Sequence, residues 1–112
     1  MTFSKKEKIA TKALFEKAKE RDYNRLIERI NNKKIKTALD VWQLRDTLNK
    51  VAKEFDTKYD YRYSVMLKNF VTFILEELIS LEDLEFLSED KYQYVENYLQ
   101  TIQQFQTKEE EN

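Results

Sequence analysis

The 112-residue chain contains no Gly, Pro, Cys or His, and each absence removes a class of mechanism. Without Gly, phosphate-cradling loops of the Walker or Rossmann kind are excluded, because they need backbone conformations and close approaches that a Cβ blocks. Without Cys there is no disulfide, no thiolate nucleophile and no zinc knuckle. Without His the commonest general base and metal ligand is missing, which leaves carboxylates, Lys, Tyr and Ser for any catalysis. No enzyme, no cofactor and no metal site are therefore expected. No apolar run approaches the roughly 20 residues that span a bilayer, and the start Met1-Thr2-Phe3-Ser4-Lys5-Lys6-Glu7-Lys8 lacks the apolar core of a signal peptide. A cytoplasmic protein that does not enter the membrane is the expectation.

What is present points to long solvated helices. Hydrophobic residues make up 41% of the chain, enough for a core, whereas 37% are charged, well above the roughly 25% of an average domain. The length suits one domain. Charge is distributed unevenly: residues 1–36 hold twelve Lys or Arg against five Asp or Glu, and the remainder holds eight against sixteen. A basic arm attracts phosphates, so nucleic-acid binding is one reading. Glu7, Glu16, Glu20 and Glu28 interrupt that arm, which favours a solvated helix face that pairs with carboxylates in cis or in trans.

Helix boundaries must be read from caps. Ser/Thr-x-x-Asp/Glu boxes occur at Ser4/Glu7, Thr37/Asp40, Thr57/Asp60 and Ser80/Asp83, and Ser88 precedes Glu89-Asp90. An all-α chain follows. The first helix is expected from about Ser4 to Ile30, with Leu14, Phe15, Ala18, Leu26, Ile27 and Ile30 inward, and Asn31-Asn32 able to turn left-handed without Gly. The second carries Leu44, Leu48, Val51 and Phe55 at heptad spacing; with a linker of only Lys33 to Lys36, the two should form a long antiparallel hairpin. The third, from about Tyr59 to Ile79, is apolar around most of its circumference and should be the buried centre, with the box at Thr57 arguing for a break before it. Leu81 to Leu87 turns the chain, and a last helix from about Glu89 to Gln106 presents Val95, Leu99, Ile102 and Phe105. The expected division is one domain over 1–106, with a stalk at about 4–58 and a small head at about 59–106, and a flexible polar tail over 107–112. A helix of about 27 residues is about 40 Å long, more than so small a chain can cover, so the stalk should bury its remaining apolar surface in a homodimer.

The one tryptophan stands out by phase. Trp42, Arg45, Asp46, Asn49 and Lys53 share a face about half a turn from the Leu44/Leu48/Val51/Phe55 seam. An aromatic anchor beside an Arg with a polar rim has the composition of an interface hot spot; the other reading is that Trp42 packs on the first helix near the bend. The neighbouring charges alone make a surface salt bridge worth well under about 1 kcal/mol.

Four segments carry a resemblance: Ala13-Leu14-Phe15-x-Lys17-Ala18 with Arg21; Trp42-x-Leu44-x-Asp46-x-Leu48; Asp56-x-Lys58-Tyr59-Asp60-x-Arg62-x-Ser64-Val65; and Leu84-x-Phe86-Leu87-x-x-Asp90-Lys91. In this order, over about Ala13 to Leu99, the chain resembles the cyanobacterial fluorescence recovery protein family. The resemblance implies an all-helical dimer that binds the photoactivated orange carotenoid protein, mainly through that partner's C-terminal domain, and speeds its return to the resting form without covalent chemistry. Such a partner acts by preferring conformations along the return path. Carried over by position, the family's tryptophan and aspartate fall on Trp42 and Asp46, and its intervening histidine on Arg45. Its functional arginine falls on Ala52, beside Lys53, which cannot reproduce a bidentate fork. A contact phenylalanine falls on Lys68 and a lysine of the last helix on Tyr94. Two partners remain open on this reading: an orange carotenoid protein or a homologue of its C-terminal domain, or a different protein on the same dimeric scaffold.

Overall fold

The structure is a computed structural model that describes residues 2–111, with side chains for 2–106; the tail expected at 107–112 lies outside the residues whose side chains are described. Helix α1 spans Lys5–Asn31, α2 Ala38–Lys58, α3 Tyr63–Leu75 and α4 Glu89–Glu111, with a 3₁₀ turn at Leu81–Leu84 between α3 and α4. No strand occurs among the described residues.

Three of the four boxes form. The Ser4, Thr37 and Ser80 hydroxyls each accept from the backbone three residues on, and Glu7, Asp40 and Asp83 reach back to the cap amide. The fourth does not: Thr57 stays inside α2, its hydroxyl donating to Lys53 O at 3.3 Å. The break before α3 is nonetheless real and falls at residues 60–62. There Asp60 is occupied by the Arg62 guanidinium and amide, and Asn69 Nδ2 holds Asp60 O at 2.7 Å.

Helix α3 is shorter than the apolar density suggested, because density reports burial rather than helicity. Glu77 adopts the left-handed region at φ 59°, Glu77 N donates to Ile74 O at 3.0 Å and Leu78 N to Phe73 O at 2.8 Å. This is a Schellman ending, and in a chain without Gly a glutamate takes its strained position. Leu78 and Ile79 are buried in the irregular segment that follows.

The core gathers Met66, Leu67, Phe70, Val71 and Phe73 of α3, Leu84 and Leu87 of the connection, Val95 and Leu99 of α4, and Phe3, Phe15 and Ala18 from the start of the chain and α1. Fully burying side chains of this size contributes about 1.5–3 kcal/mol each. Burial fades along α1: Leu26 and Ile30 are half-buried and Ile27 is 52% exposed. Phe105, expected inward on α4, is 69% exposed. On α2, Val51 is buried and Leu44, Leu48 and Phe55 are half-buried. Tyr23 and Phe55 meet edge to face at 4.9 Å, so the heptad seam lies against α1 in antiparallel order. Within the chain the basic arm does not pair as one of the expected alternatives had it: no Lys or Arg of residues 1–36 pairs with a carboxylate among the described residues, and α1 forms its ion pairs through Glu7 and Asp22 instead.

Candidate protein-binding site

The outer face of α2 begins one turn beyond the Thr37 cap. Trp42 is 54% exposed. The Arg45 guanidinium stands 5.2 Å from its ring centre and 3.0 Å from Asp46 Oδ1. Both partners are well exposed, so the ion pair and the cation–π contact stabilise the fold by less than about 1 kcal/mol each. Their effect is geometric: they hold an aromatic ring in the open beside a fixed cation and anion. Asn49 continues the same face in the open, and the face reaches Lys53 roughly 16 Å from Trp42 along the helix.

At Lys53 the face enters a groove of about 660 Å³ between Lys53, Thr57 and Lys58 of α2 and Val65, Lys68 and Asn69 of α3. Lys58 is committed elsewhere: its Nζ lies 2.8 Å from both Asp22 Oδ2 and Glu76 Oε1. Burial alone would lower its pKa, but the hydrogen bonds and charges of Asp22 and Glu76 outweigh it and hold the ammonium above its ordinary value. The Tyr59 hydroxyl donates to the same Asp22 oxygen at 2.6 Å, and burial, reinforced by that carboxylate, pushes the phenol far up. Arg62 is taken by Asp60, whose carboxyl that guanidinium holds below the usual range. Lys53 and Lys68 have no carboxylate partner among the described residues, so the groove offers two free cations on facing walls.

Lys68 also borders a second hollow of about 240 Å³, shared with Phe3, Tyr63, Val65 and Tyr94. Lys53, Lys68 and Tyr94 thus follow one another across α2, α3 and α4. Trp42, Arg45 and Asp46 form a separate group nearer the hairpin end. Ala52 borders a different hollow, about 180 Å³, with Tyr23, Leu26, Leu48 and Phe55 on the α1 side.

Two features were not anticipated. Arg25 donates from Nη1 to Glu76 O at 2.6 Å and from Nη2 to Glu77 O at 2.9 Å, and Arg21 Nη1 donates to Leu78 O at 2.6 Å, so two arginines of α1 grip the end of α3. The segment Tyr59-Asp60-Tyr61-Arg62-Tyr63 alternates in composition, and its tyrosines line a cleft against α1 while Asp60 and Arg62 line the α2/α3 groove. Period-two alternation is the signal of an extended segment.

Residues 3–98 match the model of a family described as the photoprotection regulator fluorescence recovery protein. The fluorescence recovery protein of Synechocystis sp. (strain PCC 6803) is 35% identical over 91 residues, covering 80% of this chain and 84% of that protein. The structure of the Fremyella diplosiphon fluorescence recovery protein superposes with a TM-score of 0.82 at 33% identity, over 89% of this chain and 99% of that one. The Synechocystis structure gives 0.75 at 32% identity, over 82% and 97%. No described helix is long and apolar enough to cross a membrane.

Proposed function

The chain belongs to the fluorescence recovery protein family of photoprotection regulators, and from that premise we propose that it is a non-enzymatic, homodimeric regulator that binds photoactivated orange carotenoid protein and accelerates its return to the resting form. The contact surface is the outer face of α2, Trp42, Arg45, Asp46, Asn49 and Lys53, extended by Lys68 and Tyr94, with Ala52 at its edge. The observation that carries this reading is the Trp42 group: a half-exposed indole with the Arg45 guanidinium over its ring, itself paired with Asp46, has the make-up of an anchor awaiting a partner. Binding accelerates recovery only to the extent that the surface holds the returning conformation more tightly than the activated one.

The test is dark reversion of photoactivated orange carotenoid protein followed by absorbance, with and without this chain. Acceleration at substoichiometric amounts is expected, with Trp42→Ala reducing it by about tenfold or more, the effect of losing a hot-spot aromatic. Unchanged reversion together with no complex on size exclusion would overturn the reading.

A further inference from the structure

The basic arm is the largest charge feature of the chain, and the α2 surface uses none of it. Arg21 and Arg25 serve backbone carbonyls, and the others have no carboxylate partner. Lys8, Lys12 and Lys19 are gathered on one face of α1 with Phe15 and Glu16. With Ile9 they form one wall of an open cleft of about 580 Å³, and Tyr59, Tyr61 and Tyr63 form the other. The floor is preformed by ring packing: Phe15 meets Tyr61 edge-on at 4.8 Å, and Tyr61 meets Tyr63 at 5.6 Å. Lys8 Nζ lies 5.3 Å above the Tyr63 ring. The Tyr61 hydroxyl is shut off from solvent and has no partner that meets hydrogen-bond geometry, although the Tyr63 ring is close.

We propose that this cleft is a second protein-docking site, one that takes an acidic segment of a partner. Carboxylates of the segment meet Lys8, Lys12 and Lys19, and an aromatic or aliphatic side chain lies on the Phe15–Tyr61–Tyr63 floor beside Ile9. Charge complementarity selects the ligand sign, because three lysines without a carboxylate partner face a single Glu16. Pocket size selects a peptide: the volume holds a few side chains, and Glu16 between Lys12 and Lys19 breaks the continuous cationic track that a phosphate backbone needs. The proposal is independent of the carotenoid-protein reading, since it involves neither the Trp42 group nor Lys53 and Lys68.

The experiment titrates the ¹⁵N-labelled full chain with the synthetic peptide acetyl-Glu-Glu-Phe-Glu-Glu-Leu-amide, and in parallel with a thymidine oligonucleotide of similar charge. Expected are saturable shifts confined to the amides around Lys8, Lys12, Glu16, Lys19, Tyr61 and Tyr63. Affinity should fall about tenfold or more in the double variant Lys12→Glu/Lys19→Glu, and measurably when the peptide's Phe becomes Ala. Lys17→Glu, on the opposite face of α1, should leave it within about twofold. Four results would each overturn the proposal: no saturation at millimolar peptide, equal loss in Lys17→Glu, tighter binding of the oligonucleotide at the same salt, or movement of the cleft signals on diluting the chain alone, which would make a second copy the occupant.

Discussion

Glu7 is the most constrained charge in the molecule. Its Oε1 accepts from Ser4 N at 2.8 Å and its Oε2 from Ser88 N at 2.8 Å, while Lys91 Nζ lies 3.1 Å from Oε1. One carboxylate therefore serves the N-termini of α1 and α4, where helix dipoles favour negative charge. Burial by itself would raise its pKa; the two amides and Lys91 overcome that and bring it from 4.5 down to about 2. A depressed carboxylate contributes stability that is complete above pH about 4.5 and lost as pH falls towards 2. Urea melts should show this loss in the native chain over that window and a flatter profile in Glu7→Gln. At neutral pH Glu7→Gln should cost about 3 kcal/mol, since it leaves Lys91 buried without a counter-charge. A variant as stable as the native chain would show that the pair carries no such load.

At the scale of elements, the end of α3 shows how a glycine-free chain turns. Glu77 sits at φ 59°, where a Cβ costs about 1–2 kcal/mol, and the conformation persists because Arg21 and Arg25 bind the three carbonyls around it. The grip ties α1 to α3, and Lys58, bridging Asp22 and Glu76, ties α2 to both. These polar contacts thus join α1, α2 and the end of α3 at one node, beside the ring packing of Phe15, Tyr59 and Phe73. Glu77→Gly should stabilise the fold by about 1 kcal/mol, as Gly accepts this conformation without steric strain. Thermal unfolding at a lower midpoint than the native chain would contradict that account of the turn.

The whole molecule is extended. Its radius of gyration is 17.2 Å and its principal extents are 53 × 42 × 21 Å, against a radius of about 13 Å for a compact domain of this length. Near the α1–α2 linker Ile27, Ile35, Leu39 and Val41 stand in the open. We propose that a second copy covers them. Light scattering at micromolar concentration should give about twice the 13.7 kDa of one chain, and Leu39→Glu, at a site 64% exposed, should return the mass to that of one chain without loss of helicity. A native mass of one chain would end the dimer proposal.

The helices, three of their caps and the outward phase of Trp42 were legible in the sequence, because each rests on interactions within about one turn of the same helix. The four matched segments carried the family as well. Which distant polar groups meet was not legible. Glu7 and Lys91 lie 84 positions apart, Arg25 and Glu76 lie 51 apart, and no local periodicity encodes such pairings. Nor did the basic arm disclose that its lysines lack partners. The sequence by itself determined helix content, the α2 seam and the exposed indole, all consequences of short-range hydrogen bonding and side-chain spacing. Only the tertiary structure decided where α3 stops, which cations remain free and how tyrosines and lysines converge on one cleft, because those depend on how packed helices cross and on which charges that crossing brings within reach.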